Sequence, residues 1–228
     1  MFGLFGYRPA SELKSARYQR AQVKAVKDRR SLVSIGVIDD SPFNPKNNLE
    51  NLGYKISLLG DPGNLEAVKA HHIVLCDLQG VGQSLGGETQ GAFVIKEIRD
   101  TYPEKYVIAF TGGAINQSIT REAMQASDDF LKKDADIETW VEKLDDIIQK
   151  LLDPYQVWQR ERKALVKKEV DTRTILMLED TFVKSIAAKT EYDKNKFVSF
   201  VESAKIGEDA RSVVRSMIAS GLFKLLVA

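Results

Sequence analysis

Four short apolar runs in this chain each lead to polar residues of a particular kind. Val33 to Ile38 runs into Asp39 and Asp40, Ile73 to Cys76 into Asp77, Val107 to Phe110 into Thr111, and Asp129 to Leu131 leads, past Lys132, to Lys133. Each run is strand-like in length and content. A parallel sheet built from them would gather all five polar residues at its carboxyl edge, where open α/β sheets bind their ligands. Three carboxylates there suit a hard divalent cation, and a hydroxyl and an ammonium beside them suit an anion such as a phosphoryl group.

The chemistry follows from the residue types. A carboxylate that attacks phosphorus needs its own charge and the incoming charge neutralised, because catalysis of phosphoryl transfer is mostly positioning and electrostatics. Mg²⁺ prefers one or two carboxylates together with water and phosphate oxygens, which matches a small, open acidic cluster. Taken singly, Asp39 and Asp40 read as caps of the following segment and Asp77 as the end of a strand. The five together read as a site.

This arrangement resembles the receiver (CheY-like) domain of two-component response regulators, over roughly Ser31 to Leu152. The resemblance implies a doubly wound, flavodoxin-like α/β fold with a five-stranded parallel sheet in the order 2-1-3-4-5. It implies that Asp39 and Asp40 form the acid pair that holds Mg²⁺ with Asp77 and the backbone carbonyl of Gln79. Asp77 would accept a phosphoryl group from a histidine kinase, and Thr111 and Lys133 would contact the phosphoryl oxygens. In Ala126-Ser127-Asp128-Asp129-Phe130-Leu131-Lys132-Lys133 the family's switch aromatic stands three residues before its lysine, which makes Phe130 the aromatic and favours Lys133 over Lys132.

Three departures from the family pattern stand out. Leu78 to Gln90 is longer than the usual turn after the phosphoacceptor and lacks its proline; a lid, a partner-reading surface and a flexible insertion all fit it. No Gly-Lys-Ser/Thr ending is present, which argues against a nucleotide P-loop. Ser41-Pro42-Phe43-Asn44-Pro45-Lys46-Asn47-Asn48 predicts a short or partly unwound first helix. Asp134 replaces the proline that usually follows the lysine, so a trans peptide bond is expected there.

Length and composition, 228 residues with 43% hydrophobic content, allow one real core plus an appendage. The lone cysteine, Cys76, reads as a core thiol in a reducing compartment. No apolar run reaches membrane-spanning length, and Met1 to Arg8 does not have the order of a secretory signal, so a cytoplasmic location is expected. Residues 1–30 carry eight Lys/Arg against two Asp/Glu, residues 31–153 carry 11 against 20, and residues 154–228 carry 14 against 10. An acidic middle thus lies between basic flanks.

Residues 10–30 predict a basic helix with a thin apolar stripe of Leu13, Ala16 and Tyr18 among Lys14, Arg17, Arg20, Lys24, Lys27, Arg29 and Arg30. Preceded by Phe2, Leu4 and Phe5, it fits packing on its own receiver, a dimer mate, or an anionic membrane surface. After the receiver the periodicity is helical: Ile137 to Leu151 closes it, then come Tyr155 to Val170, Ile175 to Ile186, Phe197 to Ala204, and a last helix carrying Val213, Val214, Met217, Ile218, Leu222 and Leu225. Its basic residues are spread over several helices and interleaved with acids, which argues against a nucleic-acid partner. No His/Cys metal set or nucleophile beside a base is present; His71 and His72 are placed in a turn before the third strand. A protein-binding or oligomerising tail is expected, with Leu222 to Ala228 either offering an exposed contact or completing the bundle core.

The expected organisation is therefore a basic N-terminal helix (1–30), a receiver-like domain (31–153) and a helical output or oligomerisation domain (154–228). The expected function is a phosphorylation-dependent switch rather than an enzyme, fed by a histidine kinase or phosphotransfer protein and relayed through the tail to a downstream protein. A phosphorylation-independent scaffold and a membrane-peripheral adaptor are the alternatives.

Overall fold

The computed structural model describes residues 6–15, 18, 26–86, 90–112, 117–188, 190, 193 and 195–227. The chain divides into two compact units, one made of Met1–Lys24 with Gln149–Ala228 and the other of Ala25–Ile148.

In the second unit five strands form one sheet: β1 (Ser34–Ile38), β2 (Lys55–Leu58), β3 (Ile73–Asp77), β4 (Tyr106–Thr111) and β5 (Asp129–Lys132). Their order is β2-β1-β3-β4-β5 and every pairing is parallel, as expected of a flavodoxin-like, doubly wound fold. All five residues of β3 are buried, which explains a run with no polar alternation. The edge strand β2 buries only Ile56. The strand order reverses between β1 and β3, so their carboxyl ends open the crevice where such folds bind ligands.

Helices cover the sheet: α1 (Val26–Arg30), α2 (Lys46–Asn51), α3 (Gly91–Thr101), α4 (Gln117–Ala126) and α5 (Ile137–Leu151). One core layer packs Val74, Cys76, Val107 and Ala109 of the sheet against Val94, Ile95 and Ile98 of α3 and Ala123 of α4, with Phe130 packed against it. On the opposite face Phe43, Phe110 and Trp140 form a triad of edge-on rings with centroids 5.3 to 5.9 Å apart. Each such pair contributes about 0.5–1.5 kcal/mol beyond its buried area. The first helix after the acid pair is short, six residues, with Pro45 at its cap. No cis peptide bond occurs among the described residues, including the one before Asp134.

Arg30 ties α1 to the sheet unit through both oxygens of Asp145 on α5, at 2.8 and 2.5 Å, and its guanidinium lies 4.7 Å over the Tyr54 ring. Tyr54 donates its hydroxyl to the same carboxylate. Burial opposes the Asp145 charge, but these donors outweigh it and hold the carboxyl below its ordinary range.

The other unit is helical: α6 (Pro154–Lys167), α7 (Thr172–Ile186), α8 (Lys196–Ser203), α9 (Glu208–Ala219) and α10 (Leu222–Val227). Asp153 caps α6 by accepting from the amides of Tyr155 and Gln156, and Pro154 begins the helix where no intrahelical donor is needed. Trp158, Phe182, Phe197 and Phe223 form one aromatic cluster with centroid distances of 5.0 to 6.0 Å.

Two expectations are corrected here, and the alternative left for the C-terminal segment is decided. The stretch 10–30 is not one helix: a 3₁₀ turn, Ala10–Lys14, ends at an extended Ser15, and among the described residues the next helix is Val26–Arg30. The first piece belongs with the helical unit, where Tyr7 and the Ala10 amide both donate to Glu179, and Leu13 is fully buried. Burial and the Glu179 carboxylate together push the Tyr7 hydroxyl up to about 12. Phe2, Leu4, Phe5, Ala16, Arg17, Arg20 and Lys24 lie outside the described residues. The last helix splits at Ser220 and Gly221, the glycine taking a left-handed φ of 80° that ends α9 and lets α10 fold back. Leu222 and Phe223 are consequently buried in the bundle core instead of forming an exposed end.

Candidate phosphoryl and cation site

The carboxyl ends of β1, β3 and β4 deliver Asp39, Asp77 and Thr111, all of them buried, to one edge of the sheet. Asp39 and Asp77 are 6% and 4% exposed, so their charges need partners. Lys133 is the common partner. Its Nζ lies 2.9 Å from Asp77 Oδ2, 2.9 Å from Asp39 Oδ1 and 2.8 Å from Asp39 Oδ2. The turn after β5 puts the ammonium there because the Lys133 amide continues the sheet ladder, donating to the Thr111 carbonyl at 2.7 Å. The stem of Lys133 carries its ammonium 5.6 Å from the Phe110 ring centroid. Burial works against the ammonium charge, yet its hydrogen bonds to Asp39 and Asp77 raise it above the usual lysine value.

Asp40 is exposed and completes the acidic set: Asp39, Asp40 and Asp77 each present a carboxylate oxygen within 4.8 Å of the others. Asp39 Oδ2 is buried and meets the Lys133 ammonium at 2.8 Å, with no further hydrogen bond among the described residues. A buried carboxylate oxygen with spare acceptor capacity beside two further carboxylates is what an oxygen-coordinated divalent cation requires. The residues therefore fit Mg²⁺. Gln79 follows Asp77 by two residues and its amide donates to Asp77 Oδ1 at 3.2 Å, which places the Gln79 backbone beside the same carboxylate. Phe130 is half-buried on β5 and directed toward the α3 and α4 layer.

The sequence-predicted residues thus meet at one edge, with Asp39, Asp77 and Lys133 in direct contact, Asp40 within reach of the two carboxylates, and Thr111 one register step beyond the Asp77–Phe110 pair. Sequence reasoning missed four contributors. Ser41 donates both its amide and its hydroxyl to Asp39 Oδ1 at 2.9 and 2.7 Å, and its hydroxyl also accepts from Lys133 Nζ at 2.8 Å. Position directly after an acid pair was the available signal. Gly80 has a left-handed φ of 74°, and an added Cβ would lie 2.1 Å from Asp40 Oδ2. Gln90 and Asp61 fasten the loop between β3 and α3, which is a tethered element over 78–86 and 90; Gly87, Glu88 and Thr89 lie outside the described residues.

No family model and no curated protein matches the chain. Among solved structures it is similar, over about half its length, to response regulator receiver domains. These include a CheY-like receiver domain protein from Methanospirillum hungatei JF-1 (17% identity, 52% of this chain and 94% of that one, TM-score 0.43). Another is the signal receiver domain of a DNA-binding response regulator from Colwellia psychrerythraea 34H (22% identity, 51% and 98%, TM-score 0.42). A third is a response regulator from Burkholderia pseudomallei, solved with a phosphorylated aspartic acid, a calcium ion and citrate (18% identity, 60% and 86%, TM-score 0.40).

Proposed function

We propose that the chain is a phosphorylation-dependent signalling switch whose sheet unit accepts a phosphoryl group on Asp77 from a histidine kinase or phosphotransfer protein. The observation that carries this reading is the Lys133 ammonium bound at once to Asp39 and Asp77, 2.9 Å from an oxygen of each.

In the transfer, an Asp77 carboxylate oxygen forms a P–O bond as the donor's P–N bond to imidazole breaks, and the imidazole leaves. Asp39, Asp40, Asp77 and the Gln79 carbonyl would hold Mg²⁺, which when bound offsets negative charge between carboxylate and phosphoryl oxygens. Lys133, already at the Asp77 oxygen, takes a phosphoryl oxygen as its new partner without leaving the site. Ser41 keeps the Lys133 ammonium and Asp39 oriented while that exchange happens. Thr111, at the end of β4, supplies a hydroxyl to another phosphoryl oxygen. Its inward movement frees space that Phe130 follows, changing the face made by α4, β5 and α5. Such a switch biases an existing two-state element. The helical unit is the output, contacting a downstream protein or a second copy of the chain.

Phosphoramidate supplies a P–N donor without a kinase. With Mg²⁺ present, ³¹P spectra of the full chain should show an acyl phosphate resonance that is absent from Asp77→Asn; a resonance of equal intensity in both proteins would refute the assignment.

A further inference from the structure

The loop from Leu78 to Gly86 is fastened beside Asp40 by two side chains outside the cation-binding set. Gly80 presses on Asp40 so closely that its α-carbon has no room for a methyl group, and Gly80 donates its amide to Gln90 Oε1 at 3.2 Å. Gln90 adopts φ 50°, an uncommon conformation for a residue with a side chain, and it stands at the first turn of α3. Two residues past Gly80, Gly82 donates its amide to Asp61 Oδ1 at 2.5 Å, and Ser84 donates its hydroxyl to Asp61 Oδ2 at 3.3 Å. Asp61 comes from the segment after β2, so a carboxylate near the site spends its acceptors on the loop and lies outside the three-carboxylate set.

We propose that Asp61 and Gln90 form a latch that positions Asp40 for cation binding, by clamping the Gly80–Ser84 stretch against the acid pair. This rests on the reading of Asp39, Asp40 and Asp77 as the Mg²⁺ site. The physical reason is preorganisation. Asp40 is exposed, and a free carboxylate on the surface samples several rotamers; the Gly80 backbone packed against it removes those that point away. Direct partners that orient a metal ligand change metal affinity by about 10–100-fold when lost; Asp61 and Gln90 act one step further out, through the Gly80–Ser84 backbone, so the lower end of that range is expected. Asp61 and Gln90 are positioning residues and do not themselves touch the cation.

The test is calorimetric titration of Mg²⁺ into the full chain, with thermal melting of each metal-free protein alongside. Asp61→Ala should weaken Mg²⁺ by about tenfold, while Asp61→Asn, which keeps an acceptor for the Gly82 amide, stays near wild type. An Asp61→Ala protein that binds Mg²⁺ as tightly as wild type overturns the latch, and so does a loss of affinity in Asp61→Asn as large as in Asp61→Ala. If Asp61→Ala does not fold, Gln90→Ala removes the other arm and carries the same expectation and the same refutation. Wild type giving no Mg²⁺ heat, with an Asp40→Asn trace identical to it, would overturn the cation site itself and the latch with it; wild-type binding lost in Asp40→Asn but untouched in both latch variants would overturn the latch alone.

Discussion

Gly91 approaches Asp77 so closely that a Cβ built on it would lie 1.9 Å from the Asp77 carbonyl oxygen and 2.7 Å from the Leu78 α-carbon. The start of α3 is thus packed directly against the backbone that carries the proposed phosphoacceptor, and both neighbours are main chain that cannot rotate aside.

Gly91→Ala should therefore displace α3 from β3. The expected cost is about 1–3 kcal/mol of stability, as for other overpacked sites, read by urea denaturation. Asp77 labelling should fall in parallel because its carboxylate shifts with its backbone. A variant as stable as wild type would show that the contact is loose.

Lys133→Met should leave the fold intact and slow phosphoryl transfer from small donors by roughly 10²–10³-fold, the usual loss when one charge-stabilising donor is removed. Stopped-flow quenching of Trp140, buried near the site, offers a rate readout. Transfer at the wild-type rate would remove Lys133 from the chemistry.

The same lysine gives a pH signature. Its folded value is raised above the unfolded one, so its stabilising effect is fully present below the ordinary lysine value of about 10.4 and is lost as pH climbs through the folded value. In metal-free protein the stability gap between wild type and Lys133→Met should narrow at alkaline pH above that point. A gap that stays constant there would contradict the pairing with Asp39 and Asp77.

Asp145 gives the opposite sign. Its folded value is depressed by Arg30 and Tyr54, so its contribution is present above the ordinary aspartate value of about 3.9 and disappears as pH falls through the folded value. Asp145→Asn should cost about 2 kcal/mol at neutral pH and almost nothing at the acid end, measured by denaturation across the pH range.

In the helical unit Phe223 meets both Phe182 and Phe197. Phe223→Ala should cost about 3–5 kcal/mol in thermal or denaturant unfolding. A cost of a few tenths would return the C-terminal segment to the role of an exposed contact.

The sequence carried the sheet unusually well because β1, β3 and β4 are buried on both faces and therefore read as unbroken apolar runs ending on the site residues. β2 left a fainter trace, since as an edge strand it interleaves exposed Lys55 and Ser57 with a single buried isoleucine. Asp39, Asp77 and Lys133 were legible because each follows its own strand, whereas Ser41, Gly80 and Asp61 matter through tertiary contacts that join segments distant in the chain. The N-terminal stretch departs from a single helix for a related reason. Basic residues at helical spacing suggested one element, but a buried Glu179 attracts the Ala10 amide and the Tyr7 hydroxyl, and that tertiary pull outweighs local propensity around Ser15. At the C-terminus, periodicity ran through Ser220 and Gly221 because Leu222 fits the preceding stripe; only the left-handed glycine reveals the break.

The most direct test of the central claim is the intact mass of the full chain after incubation with acetyl phosphate, with and without Mg²⁺, beside Asp77→Asn. The account predicts a gain of one phosphoryl group in wild type that requires Mg²⁺ and is absent from the variant. The same gain in Asp77→Asn, or labelling indifferent to Mg²⁺, would contradict it.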